Sequence, residues 1–308
     1  MAAEHAQDTT RLDLTVPTVE ALIALRADVA KAKPARRAQT RHAGPNASNI
    51  RGRGMEYAES RAYVPGDDAR HIDWRLTART GRAHTKLFQA ETERLTAVVA
   101  DTSASLFFGS RQRFKSVQAA RIAAGVIWRA VLDGDRVGLL VPGHAAAPRR
   151  FGTGMRGALP LMHALVEAYA QPGASDTGVW TKQLAGLRNV LRHGARMVVI
   201  ADVHTVASVP AERWLMFHGV EVHVVLVVDA FEQLPPAKTL PVKLSAKRAL
   251  LPLESTAAAD RWQDHFSAPV AAFQASAQGL GVHVHVVRTD DDATAWLQYF
   301  NAPQAHVA

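Results

Sequence analysis

Five strand-length runs of Val, Ile, Leu and Ala alternate along the sequence with longer segments of helical character. The runs are residues 95–101, 136–142, 196–202, 220–229 and 281–289. Continuous apolar runs are typical of strands that are buried on both faces, as in a parallel sheet covered by helices. The helix candidates between them are residues 113–132, 156–170, 179–193, 208–218, 259–279 and 292–300. The sequence therefore predicts an α/β fold, a doubly wound, mostly parallel sheet flanked by helices.

The composition narrows the classes of function. With 308 residues, 48% of them apolar, the chain is long enough to bury a large core. Its apolar runs are far shorter than the roughly 18 residues that span a bilayer, and its first residues lack the features of a signal peptide, so we expect a cytoplasmic protein. Cysteine is absent. Any metal is therefore expected to bind through oxygen or imidazole.

The basic charge is concentrated near the N-terminus. Residues 26–54 contain eight Lys and Arg but only one acidic residue, Asp28. Residues 18–32 have the pattern of a short amphipathic helix, and the basic stretch after them has no hydrophobic period. We interpret residues 1–54 as a helix and a basic arm, and the arm as either a solvated tail or a docking arm for an acidic protein partner. Residues 55–93 are interpreted as a small cap or hairpin, and residues 94–308 as the α/β domain. Binding of the arm to nucleic acid or to an anionic membrane surface is the alternative.

One loop displays three oxygen ligands directly after the first apolar run. Its sequence is Asp101-Thr102-Ser103-Ala104-Ser105. Ligands of doubly wound sheets bind at the carboxyl ends of the strands, and Mg²⁺ prefers about six oxygen ligands. We therefore predict a cation site at Asp101, Ser103 and Ser105. The alternative is that the two serines only cap the next helix.

Two further residues are predicted to complete this cation site. Asp202 ends the run 196–202, and Thr153 lies in the loop Gly152-Thr153-Gly154 before a helix candidate. Both are expected at the same edge of the sheet. A simple cap at a strand end is the alternative for Asp202. The expected cation is Mg²⁺, with Mn²⁺ or Ca²⁺ as alternatives.

The order of these residues resembles the metal-ion-dependent adhesion site of von Willebrand factor A domains: Asp-x-Ser-x-Ser, then a Thr in a loop, then an Asp after a strand. A longer signature, residues 61–74 with the sequence RAYVPGDDARHIDW, resembles domain-of-unknown-function family 58. The resemblance extends from about Arg51 to Phe300. It implies a von Willebrand factor A-like fold, a cation on Asp101, Ser103 and Ser105, a MoxR-type AAA+ ATPase as partner, and no established catalytic activity.

The signature is also rich in opposite charges. Six charged residues lie close together in the sequence, and we expect an internal salt-bridge network among them: Arg61, Asp67, Asp68, Arg70, Asp73 and Arg79. Trp74 is expected to be the apolar anchor of this segment against the main sheet. A surface that docks a partner is the alternative interpretation.

The leading hypothesis is a cation-dependent protein-interaction module in which the metal binds a carboxylate of a partner. It is neither an enzyme nor a protein that binds a small-molecule substrate. The alternative is a metal-dependent hydrolase that activates water. The sequence contains no Gly-x-Ser-x-Gly elbow and no P-loop, and its histidines lack metalloprotease spacing. We interpret His223, His283 and His285 as half-exposed strand residues without a ligand role.

Overall fold

The computed structural model describes residues 14–32, 55–90, 94–144, 149–173, 176–244 and 247–300. The chain divides into two compact units, one formed by residues 1–38 and 94–308 and the other by residues 39–93. We call them the sheet unit and the hairpin unit. Most of the basic arm, residues 33–54, lies outside the described residues, so its role stays a prediction.

The described elements follow one another as alternating helices and strands. The helices are α1 (Val19–Lys31), α2 (Trp74–Thr80), α3 (Lys115–Leu132), α4 (Gly154–Ala168), α5 (Thr177–Arg188), α6 (Val203–Ala207), α7 (Ala211–Leu215), α8 (Ala230–Gln233), α9 (Thr256–Trp262) and α10 (Ala268–Gln278). The strands are β1 (Met55–Ala62), β2 (His84–Ala90), β3 (Leu95–Ala100), β4 (Arg136–Leu140), β5 (Arg149–Gly152), β6 (Arg196–Ala201), β7 (Glu221–Val228), β8 (Thr239–Leu244), β9 (Lys247–Pro252) and β10 (Val282–Arg288). Short 3₁₀ helices span Ala69–His71, Ala104–Leu106 and Ala295–Tyr299, and a π-helical turn spans Gln263–Ser267.

The sheet unit is built on a six-stranded sheet with the order β10-β7-β6-β3-β4-β5. All neighbouring strands pair in parallel except β5, which runs antiparallel to β4. The first strand of this sheet, β3, lies near its centre. The chain continues to β4 on one side and later crosses to β6 on the other, so the strand order reverses between β3 and β6. The predicted mixed α/β fold with a mostly parallel, helix-flanked sheet is confirmed.

The two faces of this sheet are covered by different helices. Val98 and Ala100 of β3 belong to one buried apolar cluster with residues of α1, α3 and α4. Ala97 and Val99 belong to a second cluster with residues of α5, α7 and α10. This alternation follows from the two-residue period of a strand. In the described part of the chain, none of the helices is both long and apolar enough to cross a bilayer.

Helix α1 is an integral part of the sheet unit. Its buried residues are Leu22, Leu25 and Val29, which join the cluster around α3. Nε1 of the buried Trp128 donates a hydrogen bond of 2.9 Å to the carbonyl oxygen of Leu22. The predicted amphipathic helix at residues 18–32 is therefore present, and it packs on the core.

The hairpin unit consists of the antiparallel pair β1 and β2 with α2 between them. Its charges pair locally, Arg61 with Asp67 at 2.6 Å and Arg70 with Asp68 at 2.9 Å, as two separate pairs and not as one network. Trp74 begins α2, directly after the capping residue Asp73, and 68% of its surface is exposed. The expected anchoring of Trp74 against the main sheet would be a contact between the two units, and it stays a prediction.

Three predictions about local structure need correction. Only residues 211–215 of the segment 208–218 form a helix, α7, which begins after Pro210, and the short helix α6 before this segment was not predicted. The segment 259–279 is interrupted by the π-helical turn. The β8–β9 hairpin was missed, because Pro241 and several cations interrupt its apolar pattern.

His223 on β7 is buried, contrary to the expectation that it is half-exposed, whereas on β10 His283 is exposed and His285 is half-buried, close to that expectation. His223 is only 3% exposed. Its Nδ1 lies 3.0 Å from Nε2 of His285, and its Nε2 lies 2.9 Å from Oε1 of Glu221. The alternation of side chains along β10 was predicted correctly, but the sequence did not reveal that the neighbouring strand would pair these imidazoles.

Candidate functional site

Asp101 follows β3 directly and is 1% exposed. Its Oδ1 accepts a hydrogen bond of 2.8 Å from the backbone N–H of Ser103, and its Oδ2 accepts one of 2.9 Å from the Ser103 hydroxyl. The backbone N–H of Asp202, at the end of the neighbouring strand β6, donates to the same Oδ2 at 3.1 Å. The carboxylate is therefore held in one orientation at the point where the strand order reverses.

The two serine hydroxyls extend from this carboxylate towards the surface. Ser103 Oγ lies 3.0 Å from Ser105 Oγ, and Thr205 Oγ1 lies 3.4 Å from Ser103 Oγ. The 3₁₀ turn Ala104–Leu106 brings the serines together, with Ser103 buried and Ser105 exposed. Ser103 occupies the N-cap position of this turn, yet its side chain makes no capping hydrogen bond. The capping alternative is therefore not seen at Ser103.

Asp202 lies beside Asp101, as predicted, but both of its oxygens are engaged. Oδ1 accepts a hydrogen bond of 2.9 Å from the backbone N–H of His204 and so caps α6. Oδ2 lies 2.6 Å from the ammonium nitrogen of Lys115. The alternative interpretation of Asp202 as a cap is thus present in the structure, together with an ion pair that the sequence did not predict.

Lys115 pairs with two carboxylates, Asp202 after β6 and Glu232 in the helix that follows β7. It is 1% exposed, and its ammonium also lies 2.8 Å from Oε1 of Glu232. Oε2 of Glu232 in turn accepts a hydrogen bond of 2.9 Å from the backbone N–H of Asp229, directly after β7. Asp229 accepts hydrogen bonds from the hydroxyls of Ser110 and Thr289. A continuous polar chain therefore runs along the carboxyl edge of the sheet.

The electrostatics of these groups follow from burial and pairing. Burial raises the pKa of Asp101, and the hydrogen bonds that it accepts only partly oppose this shift. Burial also acts to raise the pKa of Asp202, but Lys115 outweighs it and holds that pKa below its usual value. For Lys115, burial is opposed by the charges of Asp202 and Glu232, which raise its pKa. The pair is therefore charged, and Asp101 is the carboxylate without a neutralising partner among these groups.

Thr153 does not lie with the other predicted ligands. It follows β5, which runs antiparallel to β4 and pairs its last residue, Gly152, with Val137 near the start of β4. Val137 pairs in turn with Thr96 near the start of β3. Thr153 therefore lies at the amino edge of the parallel strands, whereas Asp101 lies at their carboxyl edge. The sequence analysis had not predicted β5, whose antiparallel direction carries the chain back to the amino edge.

The loop after α4 closes over the Asp101 loop. The backbone N–H of Gly173 donates a hydrogen bond of 2.7 Å to the carbonyl oxygen of Thr102. A methyl group on Gly173 would meet the Thr102 hydroxyl at 2.4 Å, so only glycine fits there. Tyr169, at the end of α4, is fully buried, and burial together with the charge of Asp101 raises its pKa well above the usual value. Its hydroxyl has no hydrogen-bond partner among the described residues.

A set of aromatic side chains borders the site, and we call it the aromatic rim. Its members, in the order of their ring contacts, are Phe108, Phe231, Trp262, Phe266, His265 and His204. It begins three residues after Ser105 and ends two residues after Asp202. Phe108 is 40% exposed, and Leu234 beside the rim is 83% exposed. The site is therefore bordered by partly exposed apolar surface.

The donor set at this edge is unlike a conventional cluster of acidic and imidazole ligands. Within the described ranges, no group of three His, Asp or Glu side chains is placed to bind one metal ion. The candidate site offers one carboxylate and two hydroxyls instead. Sequence reasoning missed Lys115, Glu232, Thr205 and Tyr169. Of these four residues, only Glu232 could have been recognised in the sequence. It lies three positions after Asp229, and this spacing is typical of a capping box.

Comparison with known protein families identifies the family to which the chain belongs. Residues 59–263 match the family described as "Protein of unknown function DUF58", which covers more than half of the chain. The chain belongs to the DUF58 family. The match includes the hairpin unit from β1 onward and the sheet unit as far as the π-helical turn, so both the signature and the Asp101 loop lie inside the DUF58 region. The resemblance to family 58 is confirmed.

The chain is similar in sequence to mycobacterial proteins. "Uncharacterized protein Mb1516" of Mycobacterium bovis and "Uncharacterized protein Rv1480" of Mycobacterium tuberculosis are each 34% identical over 159 residues, which are 52% of this chain and 50% of theirs. The chain thus spans about half the length of the curated relatives it matches.

Two solved structures show a distant likeness. An aerotolerance-related membrane protein from Bacteroides fragilis, with multiple mutations to serines, is 14% identical with a TM-score of 0.37, over 68% of this chain and 96% of that one. A mutant of the PilB minor pilin from Streptococcus sanguinis is 8% identical with a TM-score of 0.38, over 72% of this chain and 63% of that one. A likeness of this degree carries no conclusion about function.

Proposed function

We propose that this chain is a protein-interaction module with a von Willebrand factor A-like fold that binds a divalent cation, Mg²⁺ or Mn²⁺, after β3. Asp101 supplies the carboxylate, and Ser103 and Ser105 supply hydroxyl oxygens. The proposal depends on one observation: Ser103 Oγ lies 2.9 Å from Asp101 Oδ2 and 3.0 Å from Ser105 Oγ. Ser103 thus links three oxygen ligands at the point where doubly wound sheets bind their ligands.

The chemistry of these residues fits such a cation. A carboxylate with neutral hydroxyls suits Mg²⁺ and Mn²⁺, which prefer oxygen ligands. The raised pKa of the buried Asp101 indicates that the surrounding protein compensates its negative charge poorly. The buried Tyr169 hydroxyl lacks a partner among the described residues, and such a group is often satisfied by a bound water or ion. A cation beside Asp101 would meet both needs.

The role of the protein is to orient the ligands and to surround them with apolar surface. Backbone N–H groups of Ser103 and Asp202 fix the Asp101 carboxylate before any ligand arrives. With few charged ligands, a bound cation retains positive charge and attracts a carboxylate of a partner. The aromatic rim offers contact area for apolar residues next to that carboxylate. We propose a MoxR-type AAA+ ATPase as the partner, on the resemblance of the 61–74 signature.

Capture of the MoxR-type AAA+ ATPase from the same genome, with Mg²⁺ and with a chelator, tests this function. We expect the wild-type protein to bind the ATPase only with Mg²⁺, and Asp101→Asn to bind it in neither condition. Asp135→Asn is the matched control. Asp135 is also buried, at 8% exposure, and accepts a hydrogen bond from Thr96, but it lies at the amino edge of the sheet.

Asp135→Asn should therefore capture the ATPase as the wild type does. Capture that survives both the chelator and Asp101→Asn would show that the interaction does not use this cation site. Equal loss in Asp101→Asn and Asp135→Asn would show a general effect of removing a buried carboxylate.

A further inference from the structure

We infer that Lys115 is a built-in cation that keeps Asp202 and Glu232 away from the metal, so that Asp101 remains the single carboxylate ligand of the site. This inference rests on the proposed function for the identity of the metal. It goes beyond that function because it assigns two effects to the Lys115 side chain. Lys115 sets how tightly the site binds the metal, and how strongly the bound metal attracts a carboxylate of a partner.

The position of Lys115 is not explained by its helix. Lys115 is the first residue of α3, and the amino end of a helix carries a positive partial charge that disfavours an ammonium group. The side chain is nevertheless 1% exposed. Its ammonium lies 2.6 Å from Asp202 and 2.8 Å from Glu232, and these two carboxylates compensate for its burial.

Both oxygens of Asp202 and of Glu232 have a partner, and in each carboxylate one of these partners is the ammonium of Lys115. Asp202 accepts the backbone N–H of His204 at Oδ1 and contacts Lys115 through Oδ2. Glu232 accepts the backbone N–H of Asp229 at Oε2 and contacts Lys115 through Oε1. The positive charge of the ammonium would repel a metal ion from these two carboxylates.

Asp101 is in a different situation. Apart from backbone N–H groups, its donors are hydroxyls, which can turn their hydrogens away and bind a cation through oxygen. The number of charged ligands controls the affinity of a site for a hard cation. With one carboxylate, the metal binds modestly and keeps its attraction for an outside carboxylate. With Asp202 and Glu232 added, it would bind tightly and lose that attraction.

Lys115→Met tests this inference, with Arg129→Met as the matched control. Arg129 is a buried cation on the same helix and pairs with Asp133 at 2.5 Å. We measure the thermal midpoint of unfolding over a series of Mn²⁺ and Mg²⁺ concentrations, and the dissociation constant by calorimetry. Lys115→Met should have a lower midpoint without metal, a larger rise on adding metal than the wild type, and a dissociation constant about tenfold lower. Arg129→Met should also have a lower thermal midpoint of unfolding, but its midpoint should rise on adding metal no more than that of the wild type.

A combined variant, Lys115→Met with Asp202→Asn and Glu232→Gln, removes the freed carboxylates and should respond to metal no more than the wild type. If Lys115→Met is obtained folded only with a divalent cation, the inference is supported. An equal response of Lys115→Met and the wild type would overturn it, and so would failure of Lys115→Met to fold with or without metal while the combined variant folds.

The outcomes separate this inference from the proposed function. If the wild type shows no binding of metal but Lys115→Met does, the proposed function fails and Lys115 is the permanent occupant of the site. If the wild type binds metal through Asp101 but Lys115→Met responds like it, the proposed function stands and the role of Lys115 is refuted.

Discussion

The backbone N–H of Asp202 donates a hydrogen bond of 3.1 Å to Oδ2 of Asp101. The ends of β3 and β6 therefore meet on a single buried carboxylate. Because these strands flank the reversal of strand order, the contact lies where doubly wound sheets open a crevice for ligands. A change at Asp101 should thus affect both the ligand chemistry and the local joining of two strands.

The close approach of the α4–α5 loop to the Asp101 loop predicts a specific intolerance at Gly173. In Gly173→Ala the methyl group would meet the buried Thr102 hydroxyl at 2.4 Å, and we expect a loss of about 1–3 kcal/mol in the free energy of unfolding. Gly186→Ala is the control, because its methyl group would meet nothing within 4 Å. That helical position should be unchanged or slightly stabilised. Urea denaturation of both variants measures the difference, and equal effects would contradict the predicted clash.

The ligand geometry predicts different outcomes for two hydroxyl residues. Ser105→Ala removes an oxygen next to Ser103 and should weaken Mn²⁺ binding by about tenfold. Thr153→Ala should leave the affinity unchanged, because Thr153 lies at the opposite edge of the sheet. Calorimetric titration of the two variants side by side measures this. Weaker binding in Thr153→Ala would refute its exclusion from the site.

The buried imidazoles predict a loss of stability in mild acid. Burial lowers the pKa of His285 to about 4 from a usual value of 6.5, so the unfolded chain takes up its proton at a higher pH than the folded chain does. Stability is therefore full above pH 6.5 and declines as the pH falls towards 4. The pKa of Glu221, which burial alone would raise, is held at about 2 chiefly by His223 and Arg196, so this carboxylate stays ionised across that range.

His285→Gln should reduce the difference between the free energies of unfolding at pH 7.5 and pH 4.5 by an amount on the order of 2 kcal/mol. His163→Gln replaces an exposed histidine of α4 and should leave the difference as it is in the wild type. The result that contradicts this prediction is an unchanged pH dependence in His285→Gln.

Two tryptophans should behave in opposite ways. Trp128 is fully buried and donates to the carbonyl oxygen of Leu22, so Trp128→Phe should cost about 1–3 kcal/mol and loosen α1. Trp74 is 68% exposed, so Trp74→Ala should change the free energy of unfolding by less than about 0.5 kcal/mol. Chemical denaturation followed by circular dichroism compares them. A large loss in Trp74→Ala would mean that its indole is buried in solution.

Much of the fold could be predicted because most strands of the main sheet can be recognised from their own residues. The runs that became β3, β4, β6 and β7 are almost entirely buried and rich in Val, Ile, Leu and Ala, so their composition alone predicts strands. The run that became β10 is only partly buried, and its alternation of Val and His predicts a strand. The hairpin β8–β9 and the short strand β5 lack such runs. Their pairing partners, and not their own composition, define them as strands, and this information is not local.

The candidate site was predictable for residues that share one loop, and for Asp202, which directly follows a neighbouring parallel strand. Asp101, Ser103 and Ser105 lie on one loop, so their spacing shows their proximity. Lys115 meets Asp202 and Glu232 across 87 and 117 residues of sequence, and no spacing rule connects them. Thr153 was misplaced because the direction of β5 depends on how the chain turns after β4.

The most direct test of the cation site at Asp101 is calorimetric titration of Mn²⁺ and Mg²⁺ into protein freed of metal, for the wild type, Asp101→Asn and Asp135→Asn. We expect one bound cation in the wild type and in Asp135→Asn, and none in Asp101→Asn. A wild type that binds no cation, or an Asp101→Asn variant that binds one as well as the wild type does, would contradict the proposed site.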